Sequence, residues 1–278
     1  MILKKIRKPG NGIVYLLLMV WALTTIFPFA WVFLNSFKPS AEVLNASFAM
    51  PKEFGLDNYR TAFSRMNILT AYKNSLIISG SVTVGVMVLS AMMSFAMTRY
   101  DFRGKRLVQS LLAASLMFPV FSTIIPVYRM MIKANLISTN LAVILPHIAG
   151  NLSFAAIVMI GFMKTIPIEL EEAAYMEGAH VGQVFLRIIV PLCKASLSTV
   201  AIFSFMWSYN DLFVQKIMIR DNTRYPISNL LETISSQYGT DFGLMASSVT
   251  LIVLPVLAVY VFLQKNIIKG LTAGALKG

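Results

Sequence analysis

Charged residues are scarce in this sequence. They make up 13% of its 278 residues, whereas soluble domains carry roughly a quarter. Hydrophobic residues reach 57%, and the mean hydropathy is +0.71. A chain this apolar has more hydrophobic surface than a soluble core can enclose. The composition therefore excludes an ordinary soluble domain and predicts an integral membrane protein.

Several motifs that carry chemistry are also missing. Cys193 is the single cysteine, which excludes an internal disulfide. No phosphate loop of the G-x-x-x-x-G-K-[ST] type is present, so any ATP has to be bound by another chain. Paired intramembrane aspartates and a His-Glu-x-x-His helix are absent as well, which argues against a membrane-embedded enzyme. We expect a non-catalytic chain with no cofactor and no metal of its own.

The net charge of +12 does not indicate a nucleic-acid partner. The basic residues lie at the ends of apolar segments and form no array that would follow a phosphate backbone. Their placement is typical of the flanks of membrane spans.

Apolar stretches long enough to cross a bilayer, which takes about 20 helical residues, recur along the chain. Five uncharged stretches qualify, namely 13–34, 74–98, 107–128, 134–163 and 242–264. A sixth, 192–213, contains Lys194 near one end and Asp211 near the other. These stretches predict an all-α membrane protein with six transmembrane helices in a domain over 13–264. The first stretch follows a basic segment without a small-residue cleavage site, so we expect it to be retained as a span.

The basic flanks predict the orientation. Cytoplasmic segments of membrane proteins carry an excess of Lys and Arg, and here these flanks share one side if the N-terminus (1–12) and the C-terminal tail (265–278) are both cytoplasmic. They are Lys4, Lys5, Arg7, Lys8, Arg99, Arg103, Lys105, Arg106, Lys265, Lys269 and Lys277. The segment 35–73 then forms an external loop, and 164–191 lies in the cytoplasm.

An acidic island lies inside the segment 164–191. Its carboxylates are Glu169, Glu171, Glu172 and Glu177. Three of them fall in the first turns of a predicted short helix, where the helix dipole favours negative charge, and Gly178 is suited to the left-handed turn that ends a helix. Apolar residues recur near helical spacing between them. The helix either enters a groove of a partner protein or rests on lipid headgroups, and repulsion from an anionic leaflet favours the protein partner.

The order of residues in this island resembles a known signature. Glu172-Ala173-Ala174 is followed by Gly178, then by Ile188 and Val190-Pro191, as in the EAA loop of the membrane-spanning subunits of ATP-binding-cassette (ABC) importers. Three further segments are similar to carbohydrate-type permeases of that family. They are R-x-x-F-x-G-K at 99–105, I-P-x-E-L at 166–170, and the maltose-type tail K-G-x-T-x-G-A-x-K-G at 269–278.

The resemblance implies a type I ABC importer permease that passes several times through a bacterial or archaeal plasma membrane. It implies a heterodimer with a second permease, two ATPase subunits that bind ATP and Mg²⁺, and an extracytoplasmic sugar-binding protein. Its cargo would be a carbohydrate, with an oligosaccharide favoured. The residues that would couple to the ATPase are Glu171, Glu172, Ala173, Ala174, Glu177, Gly178, Ile188 and Pro191.

A second candidate site lies near the end of the segment 192–213. Trp207-Ser208-Tyr209-Asn210-Asp211 resembles the W-N-D-F segment of carbohydrate permeases, with an extra Ser-Tyr. Because a carboxylate in a span is costly, a functional role is its default interpretation. Trp207 and Tyr209 would stack on sugar faces while Asn210 and Asp211 bond to hydroxyls.

Several alternatives stay open at this point. In one alternative Asp211 lies at the membrane edge. In another it pairs with Lys216 or with an arginine of a neighbouring subunit. His147 is expected to be a hydrogen-bonded packing residue. The cargo is alternatively an amino acid, a polyamine or an ion. A secondary transporter is a weaker interpretation, since Asp211 is its one candidate for ion coupling.

Overall fold

The computed structural model describes residues 12–65, 67–230 and 241–275. Within these ranges α-helix is the dominant element and no strand occurs, which confirms the predicted all-α class. The helices are α1 (Gly12–Asn35), α2 (Ser40–Ala46), α3 (Asp57–Arg65), α4 (Ile68–Arg99), α5 (Lys105–Ser115), α6 (Val120–Lys133), α7 (Leu141–Met163), α8 (Glu169–Met176), α9 (Val181–Val184), α10 (Val190–Leu192), α11 (Lys194–Asn210), α12 (Phe213–Met218) and α13 (Phe242–Ala275). A π-helical turn, Phe185–Ile189, joins α9 to α10, and Asn222–Arg224 forms a 3₁₀ turn.

Three helices of the described chain are long and apolar enough to cross a membrane. They are α1, α4 and α7. A fourth apolar element is bent, because Val181–Leu192 and Lys194–Asn210 meet at 76°. The apolar part of α13 is shorter and covers Phe242–Ala258.

The third predicted span, 107–128, is wrong as a single helix. α5 ends at Ser115, and α6 begins only after Pro119, whose backbone is extended (φ −69°, ψ 139°). Proline has no backbone N–H to continue the hydrogen-bond ladder of a helix. The chain therefore breaks inside a stretch that its composition presents as uniform.

Two further boundaries also differ from the prediction. α7 begins at Leu141 and not at 134, because Asn135 and Ser138 have positive φ angles of 55° and 62°, which right-handed helices exclude. At the other end of the chain, α13 continues past 264 to Ala275, so most of the predicted tail is helical.

The chain divides into two compact units, and the first contains the residues up to Ile68 together with Leu230–Leu254. The segment that follows α1 folds around Lys38, which is fully buried. The Lys38 ammonium donates to the carbonyl oxygens of Ala46, Ser47 and Ala49 at 2.9, 3.3 and 2.6 Å. These carbonyls lie at and just beyond the end of α2, where a cation is favoured by the helix dipole. A buried cation thus organises the loop that follows α1.

The second unit contains Leu69–Asn229 and the residues from Pro255 onward. Its core forms where α4, α7 and α11 pack through fully buried residues such as Val82, Ala156 and Val200. Small residues bring α4 close to α7: Ser94 donates to the Ala156 carbonyl at 3.1 Å, and a Cβ on Gly85 would lie 2.5 Å from the Cδ1 of Ile148. This core is the frame that carries both candidate sites.

Candidate functional site

The acidic island forms the short helix α8, and its end is defined by Gly178. Gly178 has the predicted left-handed conformation, with φ at 85°. Its N–H donates to the Tyr175 carbonyl, and the N–H of Ala179 donates to the Ala174 carbonyl, both at 3.0 Å. This pair of bonds is the Schellman motif, in which apolar residues at the two flanking positions pack together. Ala174 and Ala179 indeed both pack against the core.

Every residue of α8 except Glu171 and Ala174 is exposed, and four of the exposed residues form one stripe. Its members are spaced three and four residues apart, so they share one side of the helix: Glu169, Glu172, Ala173 and Met176. Met176 is 88% exposed. Partial desolvation, with Tyr100 and Glu171 nearby, raises the pKa of Tyr175. The stripe combines apolar contact area with two carboxyl groups.

Glu171 does not belong to that exposed stripe, although it was predicted as part of the coupling surface. It is buried, and its carboxylate accepts from Arg99 Nε at 2.5 Å. The Arg99 guanidinium also donates to the Ile166 carbonyl at 3.1 Å, just before α8. The side chains of Arg99 and Glu171 are 10% and 4% exposed. Glu171 therefore fastens α8 to the end of α4 and offers no surface to a partner.

The chain after Gly178 leads directly into the bent span. The N–H of Gln183 donates to the His180 ring, and the His180 N–H donates to the Gln183 side chain, which caps α9. Ile188 lies half-buried in the π-helical turn, and Pro191 is exposed in α10. The 76° bend follows at Cys193, two residues after Pro191.

The second candidate site is a cavity of about 680 Å³ in the second unit. Residues of α5, α6, α7, α11 and α12 line it. Its wall is mostly apolar, with a polar cluster at His147, Asn151, Ser208 and Asp211. A cavity of this size with a few convergent polar groups is typical of small-molecule sites, which measure about 300–1,000 Å³.

Asp211 is the centre of the polar cluster. One of its carboxyl oxygens accepts from the backbone N–H groups of Val214 and Gln215 at 3.0 and 3.1 Å, which caps α12. The same oxygen lies 3.3 Å from His147 Nε2, and His147 Nδ1 lies 3.0 Å from Ser208 Oγ. The predicted alternatives for Asp211 named Lys216 or another subunit, whereas the partner that the structure provides is His147.

The four residues of the predicted sugar pathway separate into two groups. Trp207 and Asp211 line the cavity. Tyr209 does not: it is 2% exposed and stacks on Phe205 at 5.6 Å between ring centroids. Asn210 is exposed outside the cavity lining. Successive positions of a helix point in different directions, so four neighbouring residues cannot all face one cavity.

Sequence reasoning missed the contribution of α7 to this site. His147, Asn151 and Phe154 are spaced four and three residues apart, which places them on one side of the helix. The spacing of these residues was a usable signal, although nothing in it revealed that α11 packs opposite.

Comparisons with known proteins agree with this architecture. Residues 86–273 match the family model described as "Binding-protein-dependent transport system inner membrane component". The chain is 34% identical to the trehalose transport system permease protein SugB of Mycobacterium tuberculosis, over 91% of this chain and 93% of that protein. It is 29% identical to the diacetylchitobiose uptake system permease protein NgcG of Streptomyces coelicolor, over 96% and 89%.

A solved structure shares the fold. It is a bacterial ABC transporter involved in the import of the acidic polysaccharide alginate, and its matched chain superposes with a TM-score of 0.81 at 22% identity, over 93% of this chain and 98% of that one. The family match covers most of the sequence, including α8 and the cavity. The chain therefore belongs to the family of binding-protein-dependent transport system inner membrane components.

Proposed function

We propose that this chain is one of two permease subunits of an ATP-driven importer for oligosaccharides, and that α8 is its coupling helix. Family membership supports the transport role, and the sugars named for SugB and NgcG support the cargo class. A cavity with an exposed tryptophan beside hydrogen-bonding groups is compatible with a sugar.

The proposed topology has six spans with both termini in the cytoplasm. The spans are α1, α4, the broken pair α5–α6, α7, the bent element that ends in α11, and α13. The basic residues that follow α4 and the acidic α8 then lie on the cytoplasmic side. The segment that contains α2 and α3 lies outside, where it can meet a binding protein.

The observation that carries the proposal is the two-sided character of α8. Its outer stripe with Met176 and Glu172 is exposed, while its inner side is tied to α4 through the buried pair of Glu171 and Arg99. A helix that docks into a groove needs a free apolar side. The Arg99–Glu171 ion pair transfers a displacement of α8 to α4, and the turn at Gly178 transfers it to α9 and the bent span.

In this assembly the chain binds no nucleotide. Two ATPase subunits hold ATP and Mg²⁺, a second permease completes the pathway in a heterodimer, and an extracytoplasmic binding protein delivers the sugar. The complex resides in a bacterial or archaeal plasma membrane.

The test is reconstitution of the complex in liposomes with the permease, ATPase and binding protein encoded beside this chain. ATP-dependent uptake and sugar-stimulated ATP hydrolysis are measured with trehalose, diacetylchitobiose and other oligosaccharides. We expect at least one oligosaccharide to stimulate both activities. Stimulation by amino acids or polyamines alone would contradict the proposed cargo.

The coupling role is tested by Glu172→Lys, which reverses a charge on the exposed stripe. We expect ATP-driven uptake to fall at least tenfold while the chain still inserts and assembles with the second permease. Asp101→Lys, which reverses a carboxylate 99% exposed outside α8, is the matched charge reversal and should leave coupling intact. Unchanged uptake in Glu172→Lys would count against α8 as the coupling element.

A further inference from the structure

We propose that the cavity beside Trp207 is a carbohydrate-binding site of this subunit itself, with an aromatic wall at Trp207 and a polar pole at Asp211 and Asn151. The inference rests on the proposed function for the class of its ligand, but its geometry belongs to this chain alone. Every lining residue lies in the second unit, so the site needs no residue of the first.

The aromatic wall is held in a fixed orientation. Trp207 is 48% exposed on the cavity side, yet its ring lies 5.1 Å from that of Phe154 and 5.9 Å from that of Phe203. Phe154 and Phe203 also contact each other edge to face at 5.6 Å. Three mutually packed rings leave the indole little freedom, and its negative π face suits the polarised C–H groups of a pyranose ring. An indole held this way is a preorganised platform for stacking.

The polar pole faces the same cavity from α7 and from the junction between α11 and α12. Asn151 donates to the His147 carbonyl at 2.8 Å, which fixes its amide. Asp211 is held by two backbone N–H groups and by His147, and it is 22% exposed, so part of the carboxyl group reaches the cavity. Sugar hydroxyls both donate and accept, and a carboxylate together with an amide offers both functions.

A polar network behind the cavity supports this pole. The Gln215 amide donates to the Ser208 carbonyl at 2.6 Å, and the Ser228 hydroxyl donates to the Gln215 side chain at 2.8 Å. Ser208 and Gln215 are buried, so these bonds form in a medium of low dielectric where they are strong. A satisfied polar network packed against an apolar span is costly to assemble and by default indicates a functional site.

The competing occupants of the cavity are a lipid chain and side chains of the second permease. The lipid chain is apolar and does not use the hydrogen-bonding capacity of Asp211 and Asn151, whereas filling by a side chain of the second permease would leave no saturable sugar binding in the test below. Burying that pole against an acyl chain would leave polar groups unpaired, at about 1–3 kcal/mol for each group. A carbohydrate satisfies the pole and the aromatic wall together.

The test is direct binding by the purified permease–ATPase complex without its binding protein, measured by equilibrium dialysis with radiolabelled trehalose and diacetylchitobiose. We expect saturable binding of at least one sugar. Trp207→Ala should weaken that binding at least tenfold, and Trp207→Phe should stay within about threefold because it keeps an aromatic face. Trp21→Ala removes an exposed tryptophan of α1 as the matched control and should change nothing.

A second variant tests the polar pole. Asp211→Asn keeps an oxygen that can cap α12, so the fold should be retained, but the loss of the carboxylate should weaken sugar binding about fivefold. Sugar binding that is the same in Trp207→Ala, Asp211→Asn and the natural chain, with uptake intact, would overturn the site and leave the proposed function standing. Absence of ATP-driven carbohydrate uptake by the natural complex would instead overturn the proposed function.

Discussion

Two carboxyl groups in this chain are taken out of water in different ways. Glu171 in α8 pairs with Arg99 at 2.5 Å, and the two side chains are 4% and 10% exposed. Asp211, before α12, lies 3.3 Å from His147 and is 22% exposed. The Arg99 guanidinium donates directly to Glu171, whereas the oxygen of Asp211 that faces His147 also accepts from two backbone N–H groups. The first pair is suited to a permanent mechanical tie, and the second keeps a polar group available at the edge of a cavity.

The same difference explains where each group lies. The tie connects α8 with the end of α4, and its burial keeps water from competing for it. Asp211 holds α12 in place through backbone bonds while one side remains open. Substitutions that disrupt the Arg99–Glu171 pair and those that remove Asp211 should therefore differ in their effects on stability and uptake.

The largest effect is expected for Arg99→Leu. Removing the guanidinium leaves Glu171 buried without its counter-charge, which costs about 3–5 kcal/mol. The purified chain should show a clearly lower unfolding temperature and loss of uptake. Arg60→Leu is the matched control, because the Arg60–Asp57 pair is 3.5 Å apart with side chains 80% and 86% exposed, and such pairs contribute about 0–1 kcal/mol. Equal unfolding temperatures in the two variants would contradict the proposed tie.

A smaller loss is expected for Asp211→Ala. The variant removes the acceptor of two backbone N–H groups and the neighbour of His147, and hydrogen bonds to charged groups contribute about 1.5–3 kcal/mol. Asp211→Asn should recover most of this stability in thermal unfolding, since it keeps an acceptor oxygen. A loss as large as that of Arg99→Leu would mean that the two carboxyl groups serve the same structural purpose.

The smallest effect is expected at the turn that follows Glu171. Gly178→Ala places a side chain in the left-handed region at φ 85°, which costs about 1–2 kcal/mol. Gly161→Ala lies inside α7 with open space around its Cβ, so it should stabilise the helix by about 0.5–1 kcal/mol. Denaturation of the two variants should show shifts of opposite sign, and shifts of equal sign would exclude the proposed role of the Gly178 conformation.

The sequence was sufficient for features that depend on local geometry. The end of α8 at Gly178 follows from conformational preference, and the apolar stretches predicted both ends of α1 and the end of α4 to within one residue, although α4 begins at Ile68 and not at 74. The spacing of Glu172, Gly178 and Pro191 was sufficient to suggest the family.

Features that depend on packing could not be predicted. His147 and Asp211 are 64 residues apart in sequence, so their pairing requires the positions of α7 and α11. The effect of each proline also depends on packing. Pro119 separates α5 from α6, whereas four other prolines lie inside helices: Pro28, Pro126, Pro146 and Pro255. Whether neighbouring groups re-satisfy the backbone decides which outcome occurs, and the sequence alone does not contain that information.

The most direct measurement of the coupling claim is a cross-link from α8. Met176 is 88% exposed and the natural Cys193 is buried, so Met176→Cys provides a single accessible thiol in this chain. Labelled with a benzophenone maleimide in the assembled complex and illuminated, it should cross-link to the ATPase subunit. Phe48→Cys, 79% exposed in the segment proposed to be external, should not cross-link to it. A Met176→Cys variant that labels fully but never cross-links to the ATPase would contradict the account.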